Sequence, residues 1–321
     1  MLIRLFWPAL LVLAACDPAI LVHGQQTEPR SRIQKRGTID LLMVETTPIV
    51  FRGRLYRFEY VRANYRENRT GNSYFRMVDV ETGKRLPAFA SGYHLGCAIV
   101  EHDMVFVYGV DDWGGSKIHG FRSPDLEQWT EWAALELPGW AVYNTSVCKA
   151  QGRYVMAIEL GAPADIVGVP FTTFFAESDD LIRWKMLPLA HCYSRDKYTA
   201  CPTIRYIDDY YYMFYLESLA GPRYETRLVR SRDLQTWEEA PHNPVLSASP
   251  LDKRLAGRFT GDQRRAILQA ININNSDMDL CEYQGATVIY YSWGNQQGTE
   301  FLAEAKYPGT LKELVTAFFE H

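Results

Sequence analysis

Three heptapeptides of one pattern constrain this chain more than anything else in it. Ser123-Pro124-Asp125-Leu126-Glu127-Gln128-Trp129, Ser178-Asp179-Asp180-Leu181-Ile182-Arg183-Trp184 and Ser231-Arg232-Asp233-Leu234-Gln235-Thr236-Trp237 all read S-x-D-L-x-x-W. They recur about every 53–55 residues, a period in the range of a propeller blade. Ser and Asp side chains bond nearby backbone N–H groups, so each copy reads as a tight turn. Its Leu and Trp are expected to pack on the neighbouring blade. A β-like run precedes each copy: Lys117 to Arg122, Thr172 to Glu177 and Thr226 to Arg230.

A second repeat, an apolar strand, a turn and an aromatic-rich strand, occurs five times. Its copies are Pro48 to Phe58, Cys97 to Tyr108, and Ser146 to Ile158 with its turn at Gln151-Gly152. Pro202 to Leu216 turns at Asp208-Asp209, and Asp279 to Ser292 at Gln284-Gly285. Short strands joined by Gly- or Asp-bearing turns read as hairpins. Five in order predict an all-β fold, a five-bladed β-propeller of four-stranded antiparallel blades. Helical periodicity is confined to Leu251 to Gln269, inside an insertion over 247–272 between blades four and five, and to Thr310 to Phe319. Thr38 to Val44 is expected to close the ring by joining the last blade.

Composition bounds the partners. The chain has 321 residues, 13% of them aromatic, with a formal charge of −4. That balance lacks the basic footprint of a nucleic-acid binder. The first 24 residues read as a signal segment: Arg4 precedes the apolar run Leu5 to Ala15, too short to span a bilayer. The run ends Leu13-Ala14-Ala15-Cys16, which resembles a bacterial lipoprotein signal with Cys16 lipidated, and ordinary secretion with cleavage after Gly24 is the alternative. Residues 25–37 read as a polar tether, and 38–321 as one propeller domain. The protein is therefore expected to be exported, as a periplasmic or membrane-anchored lipoprotein or a secreted protein. Cys192 and Cys201 are close enough in sequence for a loop disulfide in an oxidising compartment. No Cys/His spacing suggests a structural zinc, and no cofactor is demanded, although a calcium ion on the propeller axis is left open. Oligomeric state is open too.

The turn repeat and the five hairpins resemble the five-bladed propeller glycosidases: the arabinanase and β-xylosidase group, the levanase and invertase group, and the mannoside-phosphorylase group. The resemblance runs from about Asp40 to Glu304 and implies a divergent member acting on glycosides. Two departures matter. Where the arabinanase group has an Asp-Pro in blade one, this chain has Glu45-Thr46-Thr47-Pro48. Where that group has Glu-Gly-Pro, it has Ala200-Cys201-Pro202, with no carboxylate, so the family's general acid does not carry over.

In a propeller, starts of first strands and ends of second strands converge on one mouth. Carboxylates occur at such places in every blade of this chain. Glycoside hydrolysis needs two of them, one protonating the leaving oxygen and one activating water or attacking. The expected acid is Glu217, with Asp277 or Asp279 as base or positioning group, and Asp112 and Glu45 next in line. His94, Trp113, Asn144, Glu159, Tyr198 and Trp293 are expected to bind sugar hydroxyls and faces. Glu59, followed by Tyr60-Val61-Arg62, is expected to face solvent, and Asp125, Asp180 and Asp233 to serve the turns. The function expected is a glycoside hydrolase of poly- or oligosaccharides, inverting at the anomeric carbon. A non-catalytic carbohydrate-binding lipoprotein and a glycoside phosphorylase using Arg195, Lys197 and Arg223 are the alternatives.

Overall fold

The computed structural model describes residues 32–62 and 73–320, so the signal segment, Cys16 and most of the tether lie outside the described residues. Strand β1 (Gln34–Leu41) comes first and belongs to the last sheet. Blade one holds β2 (Met43–Phe51), β3 (Arg54–Val61) and β4 (Tyr74–Asp79). Its fourth position is taken by bridges from Phe75 to Phe89 and from Val78 to Arg85. Blade two is β5 (His94–Glu101), β6 (Met104–Val110), β7 (Lys117–Ser123) and β8 (Thr130–Glu136). Blade three is β9 (Ala141–Ala150) and β10 (Arg153–Ala162), then, after helix α1 (Ala164–Val167), β11 (Thr172–Ser178) and β12 (Lys185–Met186). Blade four is β13 (Ala200–Ile207), β14 (Tyr210–Leu219), β15 (Arg223–Ser231) and β16 (Trp237–Glu239), with β17 (Leu246–Ser247) added beside β15. A 3-10 turn at Pro250–Lys253 and helix α2 (Gly261–Gln269) lead to blade five. That blade is β18 (Asn274–Tyr283), β19 (Ala286–Gly294), β20 (Glu300–Tyr307) and finally β1, and helix α3 (Leu311–Ala317) follows β20.

The first strands of successive blades touch one another in a closed circuit, β2 to β5 to β9 to β13 to β18 and back to β2, so they line the axis. All five inner hairpins turn on two residues with positive φ: Arg52-Gly53, His102-Asp103, Gln151-Gly152, Asp208-Asp209 and Gln284-Gly285. That geometry matches the right-handed twist of the flanking strands.

The three S-x-D-L-x-x-W segments are identical turns. In each, the Ser Oγ accepts from the N–H groups of the Asp and Leu, and the Asp Oδ1 accepts from the next two N–H groups. Those bonds hold each Leu at positive φ, between 60° and 67°. The Trp packs on the preceding blade. Trp129 stacks on Phe89 at 3.8 Å, Trp184 meets Tyr108 edge-on at 5.5 Å, and Trp237 stacks on Phe175 at 5.8 Å. Ser178→Ala removes one such acceptor and is expected to cost about 1–2 kcal/mol in urea unfolding without touching the site.

Ring closure rests on β1, which pairs antiparallel with β20. The buried Trp293 donates from Nε1 to Thr38 Oγ1 at 2.9 Å, and Thr38 Oγ1 donates to the Asp252 carbonyl at 2.6 Å. Trp293 is thus a closure residue with 0% exposure, not a sugar platform. Lys35 Nζ bonds Asp252 Oδ1 at 2.6 Å and also reaches Ser247, Ser249 and Asn275, which ties the insertion to β1.

Candidate active site

Every inner strand breaks register at the same level. The irregularities lie between Met43 and Thr46, His94 and Cys97, Ala200 and Thr203, and Ser276 and Asp279, and on β9 opposite Ile158 to Leu160. A bulge leaves a residue out of the ladder and re-aims its side chain. Leu95, Cys201 and Asp277 take the extra step at φ of 53°, 51° and 50°. The bulges thereby turn Glu45, Leu95, Asn144, Cys201 and Asp277 into one cavity of about 230 Å³ at the mouth.

The rest of the cavity comes from second strands and loops. Glu159 stands on β10 opposite the β9 bulge, Arg62 just follows β3, and Glu300 begins β20. Trp113, Tyr143, Phe171, Tyr198 and Gln296 complete the wall. Glu300 fits because Gly294 lies against it: a Cβ there would fall 1.8 Å from the Thr299 carbonyl and 2.8 Å from the Glu300 carboxylate.

The carboxyls are buried: Glu45 is 9% exposed, and Glu159 and Glu300 are 3% each. Burial pushes the Glu45 carboxyl up to about 8, the Asp277 charge adds to the rise, and Arg62 opposes it. Burial, again with help from Asp277, takes Glu300 to about 8. Glu159 rises to about 7 by burial, against two donors that favour its anion. Those donors are the Cys201 N–H at 2.6 Å and Asn144 Nδ2 at 3.0 Å, both to Oε2. Ser292 Oγ donates to Asp277 Oδ2 at 2.9 Å. Glu45 Oε2 is buried without a hydrogen-bond partner among the described residues. At neutral pH burial thus leaves Glu45 and Glu300 holding a proton beside Asp277, a pairing suited to acid–base chemistry.

Beneath this cavity the axis narrows to a polar recess of about 30 Å³ lined by Glu45, Thr46, Asn144, Cys201, Asp277 and Asp279 among others. Asp279 is held there by an ion pair with Arg205. Among the described residues no cluster of three or more His, Cys, Asp or Glu is arranged to hold a metal ion.

Six expected site residues therefore line one cavity: Glu45, Asp277, Glu159, Asn144, Tyr198 and Trp113. The others do not. Glu217 is paired with Arg227 at 3.1 Å, accepts from Tyr215 Oη at 3.0 Å, and lines neither space. Glu217→Gln is accordingly expected to leave kcat/KM within about twofold of wild type. His94 is buried with its Nδ1 2.8 Å from Tyr60 Oη, and burial lowers its pKa. Asp112 is exposed and accepts from the Trp113 N–H, one residue short of the wall. Glu59 is fully buried rather than solvent-facing, because Arg57 and Arg76 both pair with it. Cys192 and Cys201 are free thiols. Glu300, Arg62 and Phe171 were not anticipated. Glu300 opens a third strand, a position that a search of first-strand starts and second-strand ends passes over.

No protein-family model and no curated protein matches the sequence. Solved structures do match. A protein solved as an RGII complex superposes with a TM-score of 0.62 at 13% identity, covering 87% of this chain and 94% of that one. A xylan β-1,4-xylosidase from Bacillus halodurans gives 0.56 at 12%, covering 85% of this chain and 54% of that one. An α-L-arabinofuranosidase from Podospora anserina, solved with cellotriose, gives 0.55 at 9%, covering 85% and 97%. At such identities the likeness establishes the architecture alone: this chain is a five-bladed β-propeller of the same fold as the xylosidase and the arabinofuranosidase.

Proposed function

We propose that this protein is a glycoside hydrolase. One observation carries the reading: three buried carboxyls with raised pKa values share a mouth cavity with Asp277. The fold shared with a xylosidase and an arabinofuranosidase supports it. In the proposed reaction Glu45 gives its proton to the glycosidic oxygen as the C–O bond breaks. A water attacks the anomeric carbon from the opposite face and passes its proton to Asp277. Glu159 and Asn144 bind substrate hydroxyls, and inversion follows from attack by water rather than by a side chain.

The first substrates are pentose-bearing glycans, tested as arabinan, arabinoxylan and a panel of nitrophenyl glycosides, with Asp277→Asn as control. Turnover by the wild type and its loss in Asp277→Asn is the expected result, and NMR of the first-formed anomer reads inversion. A wild type inert on all of them that still binds the oligosaccharides would replace this reading with a carbohydrate-binding protein. Ala200, which stands without a carboxylate where the arabinanase group has its acid, favours that as the second reading. A phosphorylase is less well supported: Arg195, Lys197 and Arg223 do not line the cavity, and Lys197 is engaged by Glu239. The apolar run Leu5 to Ala15 followed by Cys16 supports export with a tether through Cys16, testable by labelling with radioactive palmitate.

A further inference from the structure

Resting on the glycosidase reading, we propose that the cavity is a single-sugar pocket, so that the enzyme removes one residue at a time from a chain end. Every blade contributes to its wall. Arg62 stands on blade one, Trp113 on blade two, Tyr143 and Phe171 on blade three, Tyr198 on blade four and Gln296 on blade five. Among the described residues the wall therefore has a member from all five blades. The wall over blades two to four is also stiff. Trp113 meets Tyr143 at 5.8 Å, Tyr143 meets Phe171 at 4.9 Å and Phe171 meets Tyr198 at 5.8 Å, all edge-to-face. Such contacts fix ring orientation.

Size gives the same answer. A cavity of roughly 150 Å³ holds one benzene, and pockets for drug-sized ligands start at about 300 Å³. At about 230 Å³ the space matches one sugar ring with its hydroxyls. The recess below has room only for water, at about 30 Å³, so a sugar does not pass down the axis. Substrate enters and product leaves through one mouth. The terminal sugar lies with an apolar face on the aromatic wall and its polar edge toward Glu45, Asp277 and Glu300.

Two measurements test this on the full chain. The first follows wild-type digestion of xylohexaose and arabinohexaose labelled at the reducing end. Labelled pentaose as the first product supports the pocket. Labelled di- or trisaccharide from the outset overturns it while leaving the glycosidase reading intact. The second is calorimetric binding of the mono-, di- and tetrasaccharides of xylose and arabinose to Asp277→Asn. Affinity that varies less than about threefold with length supports the pocket even where nothing is cleaved, in which case only the hydrolase reading falls. Tightening of tenfold or more per added sugar, or no binding of any of them, overturns the single-sugar pocket.

Discussion

Replacing Glu45 with Gln is expected to lower kcat/KM on a natural glycoside by about a thousandfold, within the 10²–10⁴ range for loss of a general acid. The loss should shrink to roughly tenfold or less on a dinitrophenyl glycoside, whose leaving group departs without a proton. Asp277→Asn should be damaged on both substrates and regain rate with azide. A Glu45→Gln variant equally crippled on both would move the acid elsewhere, with Glu300 the next candidate. The pH profile gives a second check. In the proposed role Glu45 must hold its proton, and it does so below about 8. Wild-type kcat/KM should therefore fall as pH rises through that value, and the limb should vanish in Glu45→Gln on the activated substrate. Stability moves with the same protons. Glu45, Glu159 and Glu300 keep in the folded state a proton that an ordinary carboxyl loses near 4.5. Folding then takes up protons between that value and about 7–8, and stability falls as pH rises across the interval. Glu45→Gln should match wild type in thermal melting at pH 4 and exceed it at pH 8.

Asp252→Ala is expected to cost about 3–5 kcal/mol, the range for removing one partner of a buried ion pair. Asp252 is fully buried, and its carboxylate serves Lys35, Tyr291, Asn272, Asn275 and the Ser249 N–H. Removing it strands a cation and several donors at the seam between β1, the insertion and blade five. Chemical unfolding measures the loss, and protease should cut near β1 first. The exposed pair Lys312 to Asp208 is the control: both side chains are about 60% exposed, and Lys312→Ala should leave the unfolding midpoint where it is in wild type.

Why the blades were readable and much of the site was not is a matter of range. The hairpin turns and the S-x-D-L-x-x-W segments satisfy themselves within a few residues, so their chemistry shows in the letters. Glu45, Asn144 and Asp277 were legible because they sit at first-strand starts, whose convergence follows from the fold. Glu217 sits at a comparable strand end, yet Arg227 reaches it from the next strand, a pairing visible only with the register of β14 and β15 in hand. Trp293 looked like a mouth aromatic, and its partner Thr38 lies 255 residues away. The bulges left no mark in the composition. Non-Gly residues at positive φ, including Leu95, Cys201 and Asp277, are held there by the surrounding ring.

Closure by β1 also sets a timetable for the chain as it is made. This strand leaves the ribosome before the rest of the ring, and its partner β20 starts roughly 260 residues later, an interval on the order of 10–50 s at about 5–20 residues per second. Until then β1 has no ladder to join, and four blades stand as an open arc. Lys35 and Arg36 at its start put positive charge on that waiting edge, the usual guard against pairing with a stranger. The two ends of the ring are the last parts to meet, so a chain truncated before β20 leaves its earliest strand permanently unpaired.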